Sequence, residues 1–257
     1  MKKSYYSVAF DDFCSLATQG NLIPIYREIL ADFDTPVSAF SKINMGPHAF
    51  LFESIEGGEN WARYSFLGSQ PSVVFWEEAG EVITQQGRKR SRVPLKDNPL
   101  DHIEEAMADY QPVAVPGLPR FVGGAVGFLA YDVVRSFESI PEYPKNALKT
   151  PLFAFCITDT LLIFDNIAHT IKVVANAHIT SSKKTDLRRI YKKAIGQIDS
   201  IITKLHTSRR KPSPAKRRAP LKFLSNMTAP EFEKMVHRTK EYIQAGDIIQ
   251  GVMSQRW

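Results

Sequence analysis

Residues 151–177 read PLFAFCITDTLLIFDNIAHTIKVVANA. Apolar and β-branched side chains follow one another here almost without a break. Residues 151–164 and 169–177 therefore predict two long buried strands, and the Asp165-Asn166 pair between them marks a hairpin. Working outward, residues 48–55 alternate, with His48, Phe50, Phe52 and Ser54 on one face and Ala49, Leu51, Glu53 and Ile55 on the other. Gly57-Gly58 is a turn signal. Residues 62–68 and 72–77 are rich in aromatic and β-branched side chains, EVITQQG (81–87) suits an outer strand, and FVGGAVGFLAYD (121–132) is apolar and glycine-rich. Strands in groups, with no strand–helix alternation, predict an α+β fold with largely antiparallel sheets and flanking helices.

Helices are legible between these groups. Residues 8–19 suit a short helix, and 21–31 reads as an extended start running into a helical turn. Pro36 forces Thr35 to be extended. Asn98-Pro99 opens a helix as N-cap and first helical residue, and residues 112–119 are proline-rich and irregular. The strongest helical period covers 185–205, from Leu187 through Ile198 to Leu205. Thr228 with Glu231 three residues on is a capping box that starts a helix over 229–245, and Gly246 is its stop. Residues 247–257 read as a final strand.

Composition bounds the function. The chain has 257 residues, 33 basic and 27 acidic, a net charge of +6. The segment SRRKPSPAKRR (208–218) carries six basic residues, two prolines and no acid, so it alone equals the excess. It cannot bury apolar area and reads as an exposed linker. It lacks aromatic side chains for base stacking, which argues against nucleic acid as a partner. No apolar run reaches the roughly 20 residues of a membrane helix. The N-terminus has no apolar stretch of a secretory signal, and Cys14 and Cys156 read as reduced thiols. These features together predict a cytoplasmic protein.

Familiar catalytic motifs are missing: no GxGxxG, Walker loop, HExxH or GxSxG is present. The histidines show no metal-ligand spacing. Asp132 and Asp159 flank apolar strands and read as cap or turn residues. From the residues alone this is an α+β protein without visible catalytic apparatus.

Four stretches resemble component I of anthranilate synthase: GNLIPIYREILADFDTPVSAFSKI (20–43), FLFESIEGGENWARYSFLG (50–68), PRFVGGAVGFLAYDVVRSFE (119–138) and KEYIQAGDIIQGVMSQRW (240–257). They stand in the family's order. The resemblance implies conversion of chorismate and ammonia to anthranilate, with Mg²⁺, a glutamine amidotransferase subunit as partner, and feedback inhibition by L-tryptophan. Leu51-Phe52-Glu53-Ser54 stands where the family has Leu-Leu-Glu-Ser, a motif of its tryptophan site. Carried over, Ser54 contacts the bound amino acid, Glu53 sits at the pocket, and Phe52 reshapes its wall. Arg63 either faces the ligand's carboxylate or forms a structural ion pair.

The same resemblance implies a domain plan. Residues 1–205 match the family's N-terminal domain, 206–222 form the basic linker, and 223–257 are the truncated start of the chorismate-binding domain. The family's Mg²⁺ ligands and acid/base residues lie in a half that has no counterpart here. The chain is therefore expected to hold no catalytic residue and no cofactor, and to be inactive alone unless a separate chain supplies that half. The helix over 229–245 and the strand after it would lack their packing partners, with Gly251 loosening them further. Two alternatives share these residues: component I of aminodeoxychorismate synthase, which GGENWARYSF and DTPVSAF fit less closely, and a non-catalytic module binding tryptophan or the amidotransferase.

Overall fold

In the computed structural model, which describes residues 5–44, 46–53, 63–140, 150–207 and 222–257, the run 151–177 holds three strands instead of two. In chain order the elements are α1 (Phe10–Leu16), β1 (Leu22–Leu30), α2 (Pro36–Ile43), β2 (Ala49–Phe52), β3 (Tyr64–Ser69), β4 (Val73–Glu78), β5 (Glu81–Gln86) and β6 (Lys89–Pro94). Then come α3 (Leu100–Ala108), β7 (Gly124–Leu129), a 3₁₀ turn (Tyr131–Ser136), β8 (Phe153–Thr158), β9 (Thr160–Asp165), β10 (Thr170–His178), α4 (Lys184–His206) and α5 (Ala229–Ala245). The chain divides into two compact units, Met1–Arg209 and Arg210–Trp257.

The first unit has two five-stranded sheets, ordered β1-β10-β9-β3-β2 and β6-β5-β4-β8-β7. Every strand pairing in them is antiparallel, so the expected α+β class with antiparallel sheets is what forms. The predicted strand 151–164 breaks at Asp159. β8 belongs to the second sheet and β9 to the first. Strand periodicity is the same on both sides of the break, which is why the run reads as one strand.

The first sheet is covered on both faces. Ile171, Val173, Ala175 and Ala177 of β10 and Leu162 and Phe164 of β9 pack with α1, α2 and α4 in one core. The alternate residues Leu161, Ile163 and Val174 pack with Phe50, Phe66 and Phe121 on the other face. That two-sided burial explains the near-continuous apolar sequence. A third core, around Phe75 and Phe153, includes Ile103 and Met107 of α3.

One expectation is corrected here. Residues 21–31 do not turn helical: β1 stays extended through Leu30, paired to β10 along its length. Pro24 is tolerated because β1 is an edge strand, where a missing N–H costs no central ladder bond. Thr35 is extended as expected, and it also caps α2. Its hydroxyl accepts from Ser38 N–H at 3.2 Å, and Ser38 Oγ accepts from Thr35 N–H at 3.0 Å, a complete capping box.

The Asp165-Asn166 turn is present between β9 and β10. Asp165 Oδ1 accepts the N–H groups of Ala168 (3.0 Å) and Ile167 (3.2 Å), and its Oδ2 receives Arg63 Nη2 at 2.7 Å. Asp165 is 2% exposed. Burial raises its carboxyl, but Arg63 and the two amides outweigh burial and hold it below the usual carboxylate range.

In the second unit α5 carries the predicted capping box of Thr228 and Glu231, and Gly246 ends it at φ 82°. No residue of α5 is buried. Residues 247–257 form no strand, a correction to the sequence reading. Gly251 does not loosen this unit: a Cβ there would crowd Thr239 Cγ2 at 2.6 Å, so the glycine allows close approach to α5.

Asp165→Asn is expected to lower the unfolding free energy by about 2 kcal/mol, the scale of a lost charged hydrogen-bond set. Urea denaturation checks this, and an unchanged midpoint refutes it. With a depressed folded-state pKa, this contribution is complete above the unfolded carboxylate value near 4 and disappears as pH falls through the folded one. Amides 247–255, outside any regular element, are expected to exchange with deuterium far sooner than those of β9 and β10. Comparable protection would show that something covers them.

Candidate ligand-binding site

β2 and β4, β7 and β8 belong to different sheets, and an apolar cavity of about 420 Å³ lies between them. Alternation puts its walls there. In β2, Leu51 joins the helix-covered core, so Phe50 and Phe52 turn the other way, with ring centroids 5.3 Å apart. In β4, Phe75 enters the core with Phe153, so Val74 and Trp76 face the cavity. β7 contributes Phe128, and β8 contributes Phe155 and Cys156. A smaller cavity of about 310 Å³ shares Phe52, Gly127 and Phe155 and adds Phe66 and Phe121. These walls suit a flat aromatic group.

The sequence-predicted residues are not all brought together. Phe52 is in the wall of both cavities and is 51% exposed. Glu53, the next residue, is exposed beyond the end of β2. Ser54 lies outside the described residues. Arg63 does not line either cavity. It grips Asp165 and lies over the Tyr64 ring at 5.0 Å, so the structure gives it the ion-pair role.

Trp76, Phe128, Phe155 and Cys156 are the wall residues that sequence reading missed. Their strand alternation was visible, but the pairing of β4 with β8 and β8 with β7 was not. Burial pushes the Cys156 thiol up, helped by the negative charge of Asp159, so it stays a protonated apolar wall group. Among the described residues no group of three or more His, Cys, Asp or Glu is placed to hold a metal. The Mg²⁺ implied by the resemblance therefore has no fitting donor set among the described residues. Among the described residues no helix is long and apolar enough to cross a membrane.

The profile of chorismate binding enzymes matches residues 48–257. The chain belongs to this family. Within the chorismate binding enzymes it is similar to anthranilate synthase component 1 of Acetivibrio thermocellus, 34% identical over 252 residues, covering 96% of this chain and 50% of that protein. It is also similar to anthranilate synthase component 1 of Synechocystis sp., 36% identical over 264 residues, covering 97% and 51%. A crystal structure of anthranilate synthase component I from Streptococcus pneumoniae shares the fold, with a TM-score of 0.55 and 23% identity over 85% of this chain and 46% of that one. This is an anthranilate synthase component I-like protein of the chorismate-binding family. The chain spans about half the length of the curated relatives it matches.

Gly127, in the lining of both apolar cavities of this family member, lets β7 lie close against β8. A Cβ there would run into the Ala154 carbonyl oxygen and the Phe155 Cα. Gly127→Ala is expected to cost about 1–3 kcal/mol by forcing β7 away from β8. Thermal unfolding checks this, and a variant as stable as the parent would show that the strands part without cost.

Proposed function

We propose that this chain is the N-terminal, tryptophan-site part of an anthranilate synthase component I, acting in tryptophan biosynthesis. The observation that carries this reading is the position of Leu51-Phe52-Glu53. The motif runs off the end of β2 at the rim of the apolar cavity, with Phe52 in the wall and Glu53 exposed beside it. An indole ring fills apolar space between aromatic side chains, and the Glu53 carboxylate is an acceptor for the amino acid's ammonium. Ser54 is assigned to the same ligand by the motif alone. Arg63, engaged by Asp165, is not needed for it.

The wider activity is part of the same proposal. With the remaining half of such an enzyme, and Mg²⁺ bound by residues of that half, the assembly converts chorismate and ammonia to anthranilate in the cytoplasm. A glutamine amidotransferase subunit supplies the ammonia. Alone, the chain is catalytically inactive, a reading supported by the lack, among the described residues, of any group of three or more His, Cys, Asp or Glu placed to hold a metal.

Calorimetry with L-tryptophan is expected to show saturable binding. Phe52→Ala should weaken it about 10-fold, the equivalent of roughly 1.4 kcal/mol of lost apolar contact. No saturable heat with the parent chain overturns the tryptophan reading. Chain, chorismate, Mg²⁺ and ammonia together are expected to give no anthranilate fluorescence above buffer, and its appearance overturns the inactivity.

A further inference from the structure

A second cleft, of about 270 Å³, opens where α4 passes the break between β8 and β9. Its chemistry is opposite to that of the apolar cavity. Asp159 is the only acid in its lining, and His178, Arg189 and Lys193 surround it with Gln86 and Gln197. Arg189 and Lys193 are four residues apart on α4 and so share one face of the helix. Arg189 makes a loose pair with Asp186 at 3.8 Å. Among the described residues Lys193 has no carboxylate partner within salt-bridge range. Arg189 and Lys193 thus outnumber the one acid, Asp159, among the described lining residues.

The acid is set deeper than the bases. Asp159 Oδ2 accepts Ser72 N–H at 2.9 Å, and the Ser72 hydroxyl bears on the same carboxylate. Burial raises its carboxyl, and the charges of Lys193 and His178 act against this, which places both within electrostatic reach of it. Tyr110 stands beside His178, ring centroids 4.9 Å apart, and gives the cleft one apolar wall. Its volume is near the small end of ligand pockets, roughly 300–1,000 Å³.

We propose that this cleft binds a small hydroxylated anion, a carboxylate or a phosphate, with its charged end on Lys193 and Arg189 and its hydroxyl against Asp159. Two cations from one helix face match a doubly bonded oxyanion. A half-buried carboxyl accepts from, or donates to, a hydroxyl. The site lies within the first unit and does not rest on the tryptophan reading.

The test uses the full 257-residue chain in calorimetric titrations with glycerol 3-phosphate, L-malate and inorganic phosphate. Saturable binding of glycerol 3-phosphate or L-malate is expected, and whichever binds tighter assigns the anion as phosphate or carboxylate. Lys193→Gln should weaken it more than 10-fold and Arg189→Gln less, with unfolding temperatures in the absence of probe unchanged for both. These side chains lie on an exposed helix face, so neither change threatens the fold. No saturable binding of any probe overturns the proposal, as does equal affinity in the parent and both variants. Inorganic phosphate binding as tightly as glycerol 3-phosphate overturns the hydroxyl contact to Asp159, and with it the assignment.

Discussion

The fold of the first unit depends on how the chain passes from one sheet to the other, and Asp159 is where that constraint is met. Two segments cross: Gln70–Ser72 joins β3 to β4, and Asp159 alone joins β8 to β9. The Asp159 carboxylate accepts the Ser72 N–H, so one crossing is fastened to the other. Its carbonyl accepts Asn176 N–H at 2.7 Å, which ties the same point to β10. Beside it, Thr158 Oγ1 accepts from Gly124 N–H and donates to Gly124 O, both at 3.0 Å, which holds the start of β7. A buried backbone that changes sheets must still satisfy its polar groups, and this small set of bonds does so. Gln70 adopts φ 55°, a strained value for a residue with a side chain, at the other crossing.

Both cavities are consequences of that crossing. β4 and β8 run side by side, and each presents alternate residues to opposite faces. Val74 and Cys156, paired in register, line the apolar cavity. Val73 and, past the end of β8, Asp159 line the polar cleft. The same two strands thus separate an aromatic-lined space from a charged one. The sheet polarity that makes this possible is not evenly satisfied. Asn176 donates to Val122 O at 2.8 Å, yet its Oδ1 is buried without a partner among the described residues. Its Nδ2 is held by the Val122 and Thr158 carbonyls, and the chain at Gly123 passes too close to it for any Cβ.

Much of this was legible in the sequence where the signal is local. The helix over Lys184–His206 follows from the spacing of Leu187, Ala194, Ile198 and Leu205. The start of α3 follows from Asn98, whose side chain accepts Leu100 N–H at 3.1 Å. The turn at Asp165-Asn166 follows from residue type. What stayed hidden is tertiary. Alternation in 151–164 says that a strand has two faces, but not that it changes sheet part-way. Nothing in residues 21–31 says that β10 will pair with them throughout. The site was legible only in fragments. The motif named Phe52 and Glu53, but Trp76, Phe128 and Phe155 reach the same cavity through pairings that no single stretch encodes. Arg63 looked available because its partner, Asp165, is 102 residues away.

The second unit shows why helices and strands differ in this respect. A helix closes its backbone hydrogen bonds within itself, so capping and propensity can define one without tertiary burial. α5 has its cap at Thr228, its stop at Gly246 and no buried residue. A strand has no such recourse, because its N–H and C=O groups point sideways and need a neighbouring chain segment. Residues 247–257 have strand-like side chains in Ile248, Ile249 and Val252, all exposed. Their backbone meets a neighbour at Asn226, whose N–H donates to Arg256 O at 3.1 Å and whose side-chain Oδ1 accepts Arg256 N–H at 2.8 Å. One backbone bond and one side-chain bond do not make a ladder. The sequence pattern for a strand is therefore present there, while the second edge that would turn the pattern into structure is missing among the described residues.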